Sequence, residues 1–215
     1  MKRFKVNARN KVRRVPVRAH YEEKTVHEIL DAGFVGHVGF SMGPQPFVIP
    51  MAYGRKENKI YLHGATTSRL MSQVKQGIPV CLTVTHLDGI VLARSAFHHS
   101  MNYRSVVVFG RASEVSEEQK EKALLVISEQ ILKGRWESVR KPNRKELKAT
   151  TVLEFKIEEA SAKIRTGPPK DHKEDYQLPI WAGVIPIEQT LREPVPDPEL
   201  MPGLNPGVEV SQLYR

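Results

Sequence analysis

Short runs of apolar residues recur along the chain, and each run ends at glycine, proline or charged residues. Runs of this length between turn residues are typical of β-strands. The pattern predicts about seven strands, at residues 34–40, 47–54, 59–64, 80–87, 90–94, 104–115 and 150–165. Asp88-Gly89 between the fourth and fifth segments predicts a hairpin, and Pro50 within the second predicts a sheet edge or a break in the ladder. Gly110 predicts a bend or bulge in the sixth.

One segment, residues 116–132, has the pattern of a long helix. Ser116 and Gln119 fit a capping box, and Gly134 is a stop signal. The apolar stripe of this helix is predicted to comprise Leu124, Leu125, Ile127, Ile131 and Leu132. Because the strands follow one another through hairpins or short helices, the pattern favours a mainly β fold, a closed antiparallel barrel with peripheral helices, over a doubly wound sheet.

Composition restricts the class of protein. The 215 residues suffice for one substantial domain, and no apolar run approaches the length of a membrane-spanning helix. The basic start is not followed by an apolar segment, so no secretory signal is predicted. Cys81 is the single cysteine, which excludes an intrachain disulfide and suits a reducing, cytoplasmic compartment.

The net charge of +9 is concentrated at the N-terminus, because residues 1–18 hold eight basic groups and no acidic one. We therefore divide the chain into a basic arm (1–20), a barrel domain (21–187) and a proline-rich tail (188–215). The arm either packs on its own domain or a partner subunit, or serves as a nucleic-acid, membrane or targeting segment. Aromatic residues do not interleave with basic ones, so nucleic acid is not the expected partner.

The segment IYLHGATTSRLM, residues 60–71, joins a predicted strand to a predicted helix. Small residues there would let an anion approach the unpaired N–H groups of the helix N-terminus. Thr66, Thr67 and Ser68 add hydroxyl donors, and Arg69 adds a guanidinium fork that suits phosphate. The alternative is an ordinary capped helix with a solvent-facing arginine.

A second polar stretch, ARSAFHHSMNYRS, spans residues 93–105. Adjacent residues on a strand point to opposite faces, so His98 and His99 cannot share a metal ion, and no metal site is predicted. The following polar run into a strong strand suits hydrogen bonding to a ligand or a solvated turn. Lys163 and Arg165 form either a solvated edge or a second anion contact, and Trp181 considered alone is a core or interface anchor.

Taken together and in order, several segments resemble the split-barrel flavoproteins related to pyridoxamine 5′-phosphate oxidase, in the branch that includes nitroimidazole-resistance proteins. The resemblance covers roughly residues 13–187. It depends on FVIPMAYG, IYLHGATTSRLM, CLTVTHLDGIVLARSAFHHSMNYRSVVVFGRA, AKIRTGPP and WAGVIP.

The resemblance implies a six-stranded split β-barrel that forms a homodimer with FMN at the subunit interface. The strand 49–53 would contact the flavin ring through backbone groups, Ser68 and Arg69 would hold the phosphate, and Trp181 would close the site from the partner. The residues that the resemblance places around the cofactor are Ile49, Pro50, Met51, Ala52, Tyr53, His63, Gly64, Ser68, Arg69, Asn102, Tyr103, Ser105 and Trp181.

The chain departs from the oxidase itself in two places. Arg69 is followed by Leu70 instead of a second basic residue, and the chain ends in NPGVEVSQLYR instead of an Arg-rich segment. The resemblance therefore implies an FMN-dependent oxidoreductase of reductase type, whose substrate the sequence does not identify, and not pyridoxamine phosphate oxidation. The alternatives are a flavin carrier or sensor without turnover, a haem protein using His98–His99, and a nucleic-acid-binding module using the arm.

Overall fold

The structure is a computed structural model, and it describes residues 2–213. Its strands are β1 (Ala19–His20), β2 (Val35–Met42), β3 (Gln45–Lys56), β4 (Lys59–Ala65), β5 (Pro79–Leu92), β6 (Ser100–Glu114), β7 (Thr150–Arg165) and β8 (Gly183–Pro186). Its α-helices are α1 (Glu23–Asp31), α2 (Arg69–Val74), α3 (Glu117–Ile131), α4 (Arg144–Ala149) and α5 (Val208–Ser211).

Six strands form a closed antiparallel ring in the order β7-β4-β3-β2-β5-β6, and pairing between β6 and β7 closes it. Outside the ring, β1 pairs with β7 and β8 pairs with β5. The predicted six-stranded barrel is therefore confirmed. Alternate residues of the six ring strands face inward and form the main apolar core, as period-two patterning requires, and Val115, Ala123 and Val152 form a second, smaller cluster. The largest fully buried side chains include Tyr53, Phe155, Leu30, Ile60, Leu62, Leu70 and Met71.

The ring is split between β3 and β4. Residues 45–52 of β3 pair with β2 alone, and β3 pairs with β4 only from Tyr53 to Lys56. Pro50, which has no N–H to donate, lies in the half of β3 that pairs on one side only. The sheet edge predicted from Pro50 is thus confirmed, and it leaves backbone groups of β3 facing a gap.

The hairpin predicted at Asp88-Gly89 is wrong. β5 runs without a turn from Pro79 to Leu92, and its register with β6 shifts between Leu87 and Gly89. Arg104 of β6 donates two bonds to the Asp88 carboxylate, at 2.8 and 3.0 Å. A side chain at position 89 would come within 2.9 Å of Val184, so the glycine serves a close strand contact instead of a turn.

The register of β6 with β7 shifts between Phe109 and Gly110, which confirms the predicted irregularity. A Cβ on Gly110 would lie 2.1 Å from the carbonyl oxygen of Lys156, so only glycine allows the two backbones to approach this closely.

Helix α3 begins after Ser116 as predicted, but the Ser116 side chain makes no capping hydrogen bond. Its buried residues are Lys120, Ala123 and Ile127, whereas Ile131 of the predicted stripe is 46% exposed. The helix lies so close to β3 that a Cβ on Gly54 would come within 2.5 Å of the Val126 carbonyl oxygen. Two members of the predicted stripe therefore face the barrel: Ile127 is buried at this close approach, and Leu124 packs against the buried cluster of Val115, Ala123 and Val152.

The basic arm packs on the barrel, which is one of the alternatives left open by the sequence. Phe4 joins the main core, and Asn10 is buried and donates to the carbonyl oxygens of Lys5 and Ala160. Arg9 forms a bidentate pair with Glu159, at 2.8 and 2.9 Å. Within residues 2–213, no helix is long and apolar enough to cross a membrane.

Candidate functional site

The gap between β3 and β4 contains the first group of predicted site residues. Ile49, Pro50, Met51 and Ala52 pair with β2 on one side only, and His63 and Gly64 pair with β7 only. The two strands diverge after the pair Tyr53–Leu62. Antiparallel backbone groups that lack a neighbouring strand offer donors and acceptors in a row. The gap can therefore receive a flat polar ring along its backbone edges.

Helix α2 lies at the end of this gap. Ser68 is its N-cap and its side chain makes no capping bond, so the hydroxyl is free of that role. The guanidinium carbon of Arg69 lies 5.2 Å from the ring centre of Phe47 on β3, a cation–π arrangement. This contact brings the start of α2 beside the free half of β3, which unites Ser68 and Arg69 with Ile49–Ala52.

Gly64 lets α2 pack against β4. A Cβ at this position would meet the Met71 side chain at 3.1 Å. Met71 is completely buried and belongs to the main core. Gly64 therefore positions the helix that carries Arg69, and its predicted proximity to a cofactor stays a prediction.

His63 is a half-buried histidine on the outer face of β4. Its Nδ1 is buried and has no hydrogen-bond partner among the described residues. Burial lowers the pKa of His63 below its usual 6.5, because an imidazolium would be poorly solvated there. The neutral ring is therefore favoured, which is the form that binds metal ions or accepts a proton.

Tyr53 belongs to the core. Its side chain is completely buried, its hydroxyl donates to the carbonyl oxygen of Leu30, and its N–H donates to that of Phe34 at 2.9 Å. Burial raises the pKa of the Tyr53 phenol far above its usual value. Both polar groups of Tyr53 that can donate are thus bonded within the chain, and its role is to end the gap.

Asn102 of β6, another predicted site residue, is hydrogen-bonded to Arg165 of β7. Nη1 of Arg165 donates to Oδ1 of Asn102, and Nδ2 of Asn102 donates to the Gly167 carbonyl oxygen at 3.2 Å. The Asn102 amide therefore fixes the turn after β7, and its contact with a cofactor stays a prediction.

Tyr103 and Ser105 line an open cleft of about 550 Å³ beside the basic arm. Three cationic side chains, those of Arg14, Arg18 and Lys163, line the same cleft. The sequence indicates Lys163 as an anion contact or part of a solvated edge, but it does not place the two arginines in any site. The signal was present in the acid-free run of basic residues 1–18, but their convergence with β7 depends on tertiary structure.

Trp181 lies in the loop before β8 and is 66% exposed. Its indole ring packs at 2.9 Å from the position a Cβ would take on Gly183. Trp181 does not line the cleft beside the basic arm. Its predicted contribution to the site of a partner subunit stays a prediction.

His98 lies near two carboxylates, and ligand atoms of His98, Asp171 and Asp175 all lie within 4.8 Å of one another. The Asp171 carboxylate already accepts bonds from the backbone N–H of Arg94 at 3.1 Å and from its Nη1 at 3.2 Å. These bonds between Asp171 and Arg94 hold the loop after β7 against the segment that follows β5.

A protein-family model matches the part of the sequence that forms the ring of strands and α2. Residues 22–164 match the model described as pyridoxamine 5′-phosphate oxidase. The chain belongs to this family. The match includes the whole gap between β3 and β4, but it ends before Arg165 and excludes the whole basic arm. Among curated proteins the chain has no match.

Two solved structures are similar to the chain over nearly its whole length. The flavocytochrome Anf3 from Azotobacter vinelandii is 40% identical, covers 97% of both chains and has a TM-score of 0.90. The FAD and heme binding protein from Mycobacterium smegmatis is 29% identical, covers 92% of this chain and 97% of its own, and has a TM-score of 0.88. Both similarities extend beyond the family match into the arm and the tail.

A third structure supports the fold alone. The candidate 5-nitroimidazole antibiotic resistance protein from Bacteroides thetaiotaomicron VPI-5482 is 19% identical and has a TM-score of 0.58. It covers 68% of this chain and 86% of its own.

Proposed function

We propose that this chain binds a flavin nucleotide in the gap between β3 and β4 and acts in electron transfer. The observation that carries the proposal is the 40% identity over 97% of the chain with a protein named as a flavocytochrome. The gap supports it, because its free backbone edges and the adjacent start of α2 suit a flat ring with a phosphate at one end.

In this proposal the protein supplies binding and orientation, and the bound flavin supplies the redox chemistry. The backbone of Ile49–Ala52 lies along the ring, and Ser68 and Arg69 donate to the phosphate. Tyr103 and Ser105 approach from β6, and Trp181 covers the ring from a partner subunit. No described residue is needed as a general acid or base.

The kind of flavin is tested by titration. The resemblance implies FMN, whereas the name of the mycobacterial relative specifies FAD. Flavin-free protein should change the flavin fluorescence of FMN, of FAD or of both, with saturation near one flavin per chain. Riboflavin, which lacks phosphate, should bind much more weakly than FMN. Equal affinity for riboflavin and FMN would remove Ser68 and Arg69 from the site.

Reductase activity is a separate part of the proposal. Anaerobic mixing with NADH or NADPH should bleach the flavin absorbance, and an added acceptor should restore it repeatedly. A flavin that stays oxidised with both donors would leave a carrier or sensor as the function, without affecting flavin binding.

A haem is the second candidate group. One of the two similar structures is named as a flavocytochrome, and the other is named as an FAD and heme binding protein. A neutral imidazole with a free nitrogen can bind haem iron. His63 and His98 each have a buried Nδ1 without a hydrogen-bond partner among the described residues. Haem-reconstituted protein should show a Soret band that His63→Ala or His98→Ala removes, whereas His37→Ala, at an exposed position, should not.

We also propose a homodimer that completes the flavin site. Several apolar side chains on the outside of the barrel and in the loop before β8 are about half exposed or more, as expected where a partner covers them. They are Val35, Val48, Ile90, Trp181 and Ile185. Light scattering after size exclusion should give twice the mass of 24.4 kDa. A monomer that retains flavin would contradict this part.

A further inference from the structure

We propose that the cleft between the basic arm and β6 binds the diphosphate of a nucleotide. The cleft is lined by Arg14, Arg18 and Lys163, with hydroxyl groups of Tyr103 and Ser105 beside them. Within the part of the chain that the structure describes, no acidic side chain lines it. Among residues 2–213, none of these three cations forms a salt bridge or a side-chain hydrogen bond. Three like charges in one cleft repel one another, so an anion placed there gains from all three.

A fourth cation, Arg165, lies opposite Tyr103 in the β6–β7 ladder and has no acidic partner among the residues that the structure describes. Arg165 is only 6% exposed, and its guanidinium donates to three neutral oxygens, those of Asn102, Gly167 and Pro168. Burial lowers the pKa of Arg165, and the nearby charge of Arg18 lowers it further. A buried cation is normally paired with an anion. Its placement opposite Tyr103 in the β6–β7 ladder adds positive potential to the floor of the cleft.

The backbone of the arm is held in an unusual conformation at this place. Val15 has φ 52° and ψ 62°, the left-handed region that a β-branched residue rarely adopts. The N–H of Arg18 donates to the Val15 carbonyl oxygen at 3.1 Å, which closes a turn over Pro16–Arg18. Such strain persists where the surrounding structure enforces it, and it is common at binding sites. Here the strained residue lies between the two arginines that line the cleft.

The chemistry of the lining favours phosphate. Guanidinium groups match phosphate oxygens with two parallel hydrogen bonds, and a lysine adds a point charge. A volume of about 550 Å³ is in the range of small-molecule sites. A diphosphate offers more acceptor oxygens over a longer span than a single phosphate, so it can contact all three lining cations at once.

A nucleotide diphosphate could come from two sources. One is the adenosine end of a flavin dinucleotide, which depends on the function proposed above. The other is a separate nucleotide such as a dinucleotide electron donor. ADP carries the shared chemistry without a flavin ring, so it tests the cleft even if the chain binds no flavin.

The test is calorimetric titration of ADP and of pyrophosphate into the full chain, both as purified and freed of flavin. ADP should bind at least one of the two forms, and adenosine should bind neither. Arg18→Gln and Lys163→Gln should each weaken ADP binding at least tenfold, and Arg18→Lys should restore part of it. Lys145→Gln, at an exposed position on α4, should leave it unchanged.

Comparison of ADP binding by the protein as purified and by the flavin-free protein identifies which nucleotide occupies the cleft. Binding of ADP only to the flavin-free form, with release of FAD by ADP, assigns the cleft to the flavin, and binding to both forms assigns it to a second nucleotide. Absence of ADP and pyrophosphate binding in both forms would overturn the proposal. Unchanged ADP affinity in both glutamine variants would also overturn it. If those variants lose a haem Soret band while ADP binding stays intact, the cations hold haem propionates, and the proposal is again overturned.

Discussion

The guanidinium carbon of Arg69 lies 5.2 Å from the centre of the Phe47 ring, so the first residue of α2 contacts the free half of β3. Phe47 in turn stacks on Phe40 of β2, with ring centres 5.5 Å apart. The start of the helix is thereby fixed to the edge of the sheet, and a ligand in the gap would meet backbone groups and the arginine together.

Replacing Arg69 by alanine should weaken flavin binding about tenfold or more, because a charge-assisted hydrogen bond contributes about 1.5–3 kcal/mol. Fluorescence titration with FMN and FAD measures the effect. Arg144 gives a matched control, since it is also the first residue of a six-residue helix and lies far along the chain in α4. An Arg69→Ala protein that binds both flavins like Arg144→Ala would remove Arg69 from the site.

Tyr53→Phe should lower the free energy of unfolding by about 1 kcal/mol, because it removes a buried hydroxyl bonded to the Leu30 carbonyl oxygen. The lost bond is partly compensated, since Gln130 also donates to that oxygen at 3.2 Å. Flavin affinity should stay the same, because this side chain lies in the core. Urea unfolding and flavin titration of the same variant separate the two effects, and a large loss of flavin affinity would place the Tyr53 hydroxyl in the site.

Gly110→Ala should destabilise the protein by about 1–3 kcal/mol or more, because its methyl group would collide with the backbone of β7. Gly64→Ala should cost less, since its methyl group would meet no backbone, only the Cε and Cγ atoms of the unbranched Met71 side chain at 3.1 Å. Denaturant midpoints of the two variants give the comparison. Equal destabilisation would contradict the distinction between a backbone collision and a side-chain contact.

The stability of the protein should fall as the pH decreases below about 6.5, in part through His63. Its pKa is lowered in the fold, so the unfolded chain takes up this proton at higher pH. The contribution of His63 is therefore fully present above the unfolded pKa and is lost as the pH falls toward the folded one. Unfolding free energies measured between about pH 7.5 and 5.5 should depend less on pH in His63→Gln than in the wild type. Identical slopes in His63→Gln and the wild type would refute the assignment.

The ring of strands was predictable from the sequence because each strand carries its own period-two pattern and turn residues. Asp88-Gly89 shows where local reasoning fails. As a dipeptide it favours a turn, but the contacts of Gly89 with β8 and of Asp88 with Arg104 stabilise a continuous strand. Turn propensity is a small local preference, and two cross-strand partners outweigh it.

The candidate site was predictable in part, and the difference is physical. Residues 60–69 are close in sequence, so the strand-to-helix junction could be recognised as a unit. Arg18 and Lys163 are separated by most of the chain and meet only through the pairing of β1 with β7, where Ala19 is opposite Lys163. No local sequence pattern predicts this contact. The run of basic residues therefore indicated a concentration of positive charge, but not where in the fold it lies.

The most direct test of flavin binding is the absorbance spectrum of the freshly purified protein, with the released chromophore identified after denaturation. We predict bands of an oxidised flavin and release of FMN or FAD at about one per chain. A Soret band in addition would support the haem as well. A colourless protein that also fails to bind added FMN and FAD would contradict the central claim, and the junction at Arg69 would then be an ordinary capped helix.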